Sequence, residues 1–289
     1  MPFGMQGNIH MVVMNEKVYI GGGVALSPTD EHTVMVYDPK CDNFTTLLQS
    51  PQRFFSMTVI DNQLVLVGGR DAETNKRTNK LAVWNKQSAN KWSHPFPSMS
   101  TACTSPAVIT HHNKWLVVAG GRGAGGNELS RVEIHVISTG QWYFGTPLPQ
   151  PRSEIIATTL GNVCYVLGGF SKGDSSKKVF SVYVDSLISR AIHKPASASV
   201  PSPWQTLTDT PQTCSTPSVF KGSLLAVGGG QLRKSSAICL YQPSSSSWIK
   251  AGELPTRRSG CACTILPNGE VFVAGGSGTE QRMDTAIIL

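Results

Sequence analysis

Few residues of this chain have the types and spacing that chemistry needs, and their neighbours decide against most of those. Gly121-Arg122-Gly123-Ala124-Gly125-Gly126 has the G-x-G-x-x-G spacing of a dinucleotide-binding turn. That chemistry requires a helix directly afterwards, whose N-terminal N–H groups hold the pyrophosphate. The next segment, Arg131-Val132-Glu133-Ile134-His135-Val136, has instead an alternating β pattern, so the glycines read as a loop. No G-x-x-x-x-G-K-[ST] phosphate loop occurs. Of the seven histidines, His111 and His112 are adjacent and point opposite ways on a strand or turn. Cys261 and Cys263 share a face of one strand, but two thiols fall short of the four ligands that zinc takes. The seven cysteines contain no C-x-x-C pair and sit mostly among apolar residues, as reduced, buried thiols do. The reading expects no cofactor, no metal and no catalytic residue. A net charge of +7 favours an acidic partner, while the scattered Lys and Arg residues give no specific sign of nucleic acid.

The elements that must position any site come from a repeat. Val18-Tyr19-Ile20-Gly21-Gly22 is an apolar run that stops at a glycine pair. It returns ahead of Gly68-Gly69, Gly120-Gly121, Gly168-Gly169, Gly228-Gly229 and Gly275-Gly276, at spacings of 47, 52, 48, 60 and 47 residues. A period near fifty marks one supersecondary unit arrayed on itself, each unit too small to bury a core alone. The second copy shows its content. Met57–Ile60 and Leu64–Val67 are strands around the turn Asp61-Asn62; Leu81–Trp84 is a third strand, and Trp92 opens a fourth that Pro95-Phe96-Pro97 closes. The spacing predicts antiparallel four-stranded meanders over about 8–50, 54–98, 104–149, 153–211, 215–255 and 260–289, within one domain spanning 1–289. A third-strand aromatic recurs as Tyr37, Trp84, Tyr183 and Tyr241, with His135 in its place in the third copy. A fourth-strand aromatic recurs as Phe44, Trp92, Trp142, Trp204 and Trp248. The fourth copy carries a Ser/Ala/Pro-rich insertion, Ser186 to Pro203, which reads as an exposed flexible loop.

Glycine pair, third-strand Tyr and fourth-strand Trp at this period are the residues of the Kelch repeat. The chain resembles a Kelch β-propeller over essentially its whole length, which implies an all-β fold of six four-stranded blades around a channel. The sixth copy supplies three strands and no Trp. Either the last blade has three strands, or its fourth comes from sequence upstream of Met1. The chain shows no basic-then-apolar leader and no apolar run near ~18 residues, so the reading expects a cytoplasmic protein without a membrane span. Asn43-Phe44-Thr45 is a glycosylation sequon by form only, since it falls at an expected strand start.

The resemblance also implies where binding takes place. In Kelch adaptors that recognise degradation motifs, the residue after the glycine pair and the Arg-Ser opening the next first strand line the channel mouth. Carried over residue by residue, the first set is Gly23, Arg70, Arg122, Phe170, Gly230 and Ser277. The second is Arg53, Arg152 with Ser153, and Arg257, Arg258 with Ser259. The third blade offers Thr104 and Ser105 instead, the fifth Thr213 and Cys214, and the first Met5 and Gln6. Six arginines on one rim suit carboxylates or phosphates. The expected function is protein–protein interaction with an acidic or phosphorylated segment, in the setting of substrate recognition for a ubiquitin ligase. The alternatives are a Kelch-propeller enzyme, either a mutarotase of the sialic-acid type or a copper oxidase, and an actin-associated structural protein.

Overall fold

Short apolar runs bounded by turn residues become the strands of a propeller. The coordinates are a computed structural model; they describe all residues except 3, 26, 28–29, 86–90, 194–200, 213–215, 231–232 and 279–283, and only the backbone of 48, 85 and 216. Six antiparallel sheets succeed one another along the chain, five of four strands and a last of three. Their innermost strands are Met5–Met14, Ser56–Ile60, Ala107–His111, Ile156–Leu160, Thr216–Phe220 and Ala262–Ile265. These lie side by side around a channel, and the last packs against the first, so the ring closes between blades 6 and 1. The second blade keeps the expected register, with Ser56–Ile60, Gln63–Val67, Leu81–Asn85 and Lys91–Ser93 in sequence order, and its expected turn at 85–90 lies almost wholly outside the described residues. Among the described residues the last blade has the three strands Ala262–Ile265, Val271–Ala274 and Ala286–Ile288.

Apolar side chains from neighbouring blades form the core between them. Tyr37 of blade 1 stacks on Phe272 of blade 6 at 4.6 Å, and Trp84 of blade 2 meets Tyr19 of blade 1 at 6.0 Å. Further out, the fourth-strand indoles bond to the preceding blade. Trp142 Nε1 donates to Pro97 O at 3.0 Å, Trp204 Nε1 to Thr146 O at 2.9 Å, and Trp248 Nε1 to Thr208 O at 3.2 Å. Burying an aromatic body while its polar tip finds an acceptor is what Trp does well. Blade 1 carries Phe44 at this position, which packs on Tyr37 instead. His135 takes the third-strand aromatic place in blade 3, fully buried between Trp142 and Phe96, and burial holds its pKa down.

The fourth-copy insertion departs from expectation. Val184–His193 is an α-helix, not a loop, and it buries Val184, Leu187, Ile188 and Ala191 against the core shared by blades 3 and 4. Those four positions make one helical face, a period that the Ser/Ala/Pro-rich composition further along obscured. Residues 194–200 of the insertion lie outside the described residues.

The glycine pairs are where blades are tied together. Gly69 has φ +102°, and a Cβ on it would lie 2.6 Å from Arg53 O, so neither its backbone nor its surroundings accept a side chain. Its N–H donates to Cys103 O of the next blade at 2.7 Å. The same bond recurs from Gly121 to Arg152 O at 2.9 Å, from Gly229 to Arg258 O at 2.8 Å and from Gly276 to Met5 O at 2.7 Å. Where the acceptor is an arginine, its side chain turns into its own blade, and glutamines at the corresponding places of blades 5 and 2 do likewise. Arg152 Nη1 donates to Gly168 O at 2.9 Å and Lys178 O at 3.4 Å. Arg258 Nη1 donates to Gly275 O at 2.9 Å and Thr285 O at 3.0 Å. Gln212 Nε2 reaches Gly228 O and Ala237 O at 2.9 Å each, and Gln52 Nε2 reaches Lys80 O at 3.1 Å. At the junctions entered by Arg152 and Arg258, one residue thus joins two blades, through its carbonyl to one and its side chain to the other.

Arg152 and Arg258 are therefore structural, against the expectation that they line the rim. They are 0% and 1% exposed, and Arg152 also lies over the Phe180 ring at 4.4 Å. Burial lowers the Arg152 pKa to about 10, which still leaves it charged at neutral pH. Replacing Arg152 by Met strands the Gly168 carbonyl in the interior and should cost on the order of 3 kcal/mol in urea unfolding. Arg257→Met, on an exposed neighbour, should change stability by no more than about 0.5 kcal/mol. Equal losses for the two would deny the buried bonds this role.

His10, buried on the first strand of blade 1, supplies a pH dependence. Its Nε2 has no partner, and burial lowers its pKa to about 4. The unfolded chain therefore binds a proton more readily than the folded one between about pH 6.5 and 4, and stability falls as pH drops through that window. Wild-type protein should lose about 2 kcal/mol more than His10→Leu between pH 7 and pH 5, measured by urea titration at each pH. Parallel losses would exclude His10 as the sensor.

Candidate functional site

Just inside the glycine pairs, five of the blades carry a residue in the left-handed region near the start of the first strand. Gly7, Phe54, Ser105, Glu154 and Gly260 have φ of 61°, 53°, 52°, 55° and 63°. Three of the links between them are backbone hydrogen bonds around the axis: Gly7 N to Gly260 O at 2.9 Å, Ser105 N to Phe54 O at 3.1 Å, and Glu154 N to Ser105 O at 3.0 Å. The equivalent position in blade 5 lies outside the described residues. This collar narrows one mouth of the channel and gives the side chains above it a rigid base. The preceding residue pairs with the one after its own glycine pair: Arg53 with Arg70, Thr104 with Arg122, Ser153 with Phe170, and Ser259 with Ser277.

That pairing corrects two assignments. In blade 1 the left-handed pair is Gly22-Gly23, with φ of 74° and 72°, so the position after it belongs to Val24, which pairs with Gln6. Gly23 is therefore part of the pair itself, and it still lines the mouth cavity beside Val24. In blade 2 the position equivalent to Arg152 belongs to Gln52, and Arg53 stands one step further along, level with Ser153. Alignment of first strands by residue type alone puts the two arginines together.

A cavity of about 180 Å³ opens above the collar over blades 1 to 4. Arg70, Arg77 and Arg122 enter it from loops after second strands; Phe54, Thr104, Ser105, Ser153 and Glu154 form the collar side, and Asn8 and Val24 close it at blade 1. The guanidiniums are held lightly. Arg70 donates to Asn75 O at 2.9 Å, Arg77 to Ala124 O at 3.3 Å, and Arg122 to Glu128 Oε1 at 3.4 Å, with Phe170 5.4 Å beneath the Arg122 guanidinium. Burial and then the charges of Arg70 and Arg122 hold the Arg77 pKa below the usual guanidinium value. Burial pushes the Glu154 carboxyl up, Arg122 pulls it the other way, and Glu128 adds to the rise. Asn8 Oδ1 and Nδ2, Arg77 Nε, Arg122 Nε, Ser153 Oγ and Glu154 Oε2 are all buried here without a hydrogen-bond partner.

Seven expected residues thus gather at this mouth: Gly23, Arg70, Thr104, Ser105, Arg122 and Ser153 in the cavity wall, and Phe170 under Arg122. Others do not. Arg53 pairs with Glu31 at 3.4 Å on the blade 1 side. Ser259 lines a separate cavity of about 80 Å³ with Gln6, Gly7, Val24 and Gly260; Ser277 is paired to Ser259 there, and Arg257 is exposed. Thr213 and Cys214 lie outside the described residues. Arg77 and Glu154 join the site without any expectation from the repeat. Arg77 is delivered by a hairpin that pairs it with Arg70, and Glu154 by the residue after the expected Ser153.

The other mouth differs in chemistry. Its cavity of about 720 Å³ is lined by first-strand hydroxyls such as Thr58, Thr110, Thr158 and Ser218, with Thr58 and Thr110 bonded at 2.7 Å. Among the described residues, no guanidinium or carboxylate lines it. Gly121–Gly126 forms a hairpin loop that returns into the strand Val132–Val136. Among the described residues no three His, Cys, Asp or Glu side chains gather as a metal site, six cysteines are free thiols, and no helix is long and apolar enough to cross a membrane.

Comparisons with known proteins agree with this architecture. The KLHDC2/KLHL20/DRC7 Kelch-repeats domain matches residues 54–276. Kelch-like protein 40 of Xenopus tropicalis is 25% identical over 170 residues, 57% of this chain and 27% of that protein. Kelch-like protein 26 of Danio rerio is 24% identical over 266 residues, 88% of this chain and 42% of that protein. Beta-scruin of Limulus polyphemus is 21% identical over 175 residues, 57% of this chain and 19% of its own length. The chain therefore spans less than half the length of these curated relatives. The solved structure of YjhT superposes with a TM-score of 0.77 over 98% of this chain and 94% of that one, at 16% identity, which bears on the fold alone. With a domain match across most of its length and six blades built on glycine-pair repeats, the chain belongs to the Kelch-repeat family.

Proposed function

We propose that this propeller is a protein-interaction module and that the cavity over blades 1 to 4 receives an acidic segment of a partner protein. One observation carries the reading. Buried polar atoms of five residues converge on one small cavity without partners, at a mouth supplied with three guanidiniums. Buried polar groups in folded proteins are normally satisfied, and a cluster of exceptions in a cavity marks a place completed by something else. Arginine forks match the planar oxygens of acidic groups, and the rigid collar presents them without reordering cost. Kelch relatives such as Kelch repeat and BTB domain-containing protein 1 of cowpox virus carry further sequence beyond the matched part. In a longer protein of that kind, this mouth would act as the substrate-receiving end of a ubiquitin ligase.

An array of acidic peptides probed with purified protein tests the reading. Each charge-assisted contact is worth about 1.5–3 kcal/mol, so Arg122→Gln or Arg77→Gln should lower retention roughly tenfold or more. Arg257→Gln, away from the cavity, should leave it unchanged. Retention should also weaken as salt rises, because the mouth is open to solvent. Binding that survives replacement of Arg70, Arg77 and Arg122 together would place the partner elsewhere.

A further inference from the structure

The cavity contains a carboxylate that a plain anion site has no use for. Glu154 stands in the collar with its N–H held by Ser105 O at 3.0 Å, so its side chain starts from a fixed backbone. Its Oε2 is buried in the cavity wall and has no donor. Arg122 acts on it electrostatically, but the Arg122 guanidinium makes its ion pair with Glu128 at 3.4 Å. This carboxylate constrains a ligand in two ways.

The first concerns charge. Three guanidiniums, from Arg70, Arg77 and Arg122, face the carboxylates of Glu128 and Glu154, which leaves one net positive charge. A singly charged anion balances it. A doubly charged phosphate leaves excess negative charge beside Glu154, whose buried Oε2 at the floor of the open mouth is little screened by water. The second concerns hydrogen bonding. Glu154 Oε2 is an acceptor, so the ligand needs a donor next to its anionic group. An Asp or Glu in an extended peptide supplies both: a side-chain carboxylate for the arginines and a backbone N–H for Glu154. A phosphorylated residue supplies the donor but carries the wrong charge.

We infer that Glu154 makes this mouth a reader of carboxylate side chains, Asp or Glu within a peptide, and turns phosphorylated residues away. The inference rests on the binding reading above and narrows its ligand. Specificity here comes from a repulsive element set beside the attractive ones.

Three pools of peptides about ten residues long, alike in random flanks but fixed at the centre as Glu, Gln or phosphoserine, give the test. Wild-type protein should retain the Glu pool roughly tenfold above the phosphoserine pool, a ratio that needs no variant to fold. Glu154→Gln should raise retention of the phosphoserine pool about tenfold and change the Glu pool far less. A wild-type preference for phosphoserine, or the same ratio in Glu154→Gln as in wild type, overturns the role of Glu154. The arginine site itself would still stand in that case, because Arg122→Gln would lower both anionic pools. Equal retention of the Glu and Gln pools by wild type would overturn both readings.

Discussion

Everything in this propeller depends on satisfying one crowded backbone corner. At each glycine pair the second strand ends, the third begins and the next blade arrives, so several N–H and C=O groups are buried together without a ladder to pair them. At four pairs the second glycine gives its N–H to the next blade, and at three Arg152, Arg258 or Gln212 sends a side-chain donor back to the first glycine's carbonyl. A buried group left unpaired there would cost about 1–3 kcal/mol, a sizeable part of the net stability of a domain. Arg152, Arg258 and Gln212 differ in charge but do the same work, because the requirement is a long side chain with N–H donors and not a cation; Gln52 supplies a donor to Lys80 O beside the corner. Blades that carry Met5 or Cys103 at this position keep the backbone half of the joint and lack the side-chain half.

The same corner positions the candidate site. Once the linker carbonyl is fixed to the previous blade, the next residue must pair with the position after its own glycine pair. The one after that turns left-handed and joins the collar. Three consecutive positions thus have three fates: joint, rim and collar. Arg152, Ser153 and Glu154 are such a triplet, the first buried and structural, the second and third in the cavity wall. A shift of one residue exchanges an arginine buried in the joint for one outside it. That is why Arg53, level with Ser153, and Arg152 are not equivalent although both are arginines opening a first strand.

The one-residue register also decides which parts were legible in the sequence. Glycine pairs, strand aromatics and turn spacing are set by geometry that every blade repeats, so the six-bladed plan and even the three-stranded last blade could be read from one-dimensional periodicity. Arg70 and Arg122 were legible because they directly follow glycine pairs. Arg152 and Arg258 were misplaced because burial depends on register, and residue type alone cannot fix that register when Gln and Arg serve equally. The place of Gly23 within the pair was hidden for a related reason: three glycines in a row conceal which two take positive φ. The helix Val184–His193 was hidden by the composition of the segment after it, although Leu187, Ile188 and Ala191 carry the helical spacing. Arg77 and Glu154 had no repeat signal, since each occurs in a single blade.

Residues that appear in one blade only are also where a propeller can hold function. A side chain repeated six times around a ring is answering a demand of the ring. Arg77 and Glu154 answer none: burial shifts both from their ordinary pKa values, and Arg77 Nε and Glu154 Oε2 lack protein partners. The ring tolerates them because its own polar requirements are met one and two residues away. The collar holds them at fixed positions because it is built from backbone. The opposite mouth, lined by first-strand hydroxyls, shows what the channel looks like when strand residues alone decide it. Departure from the repeat, at a corner the repeat makes rigid, is what distinguishes this mouth chemically from the rest of the molecule.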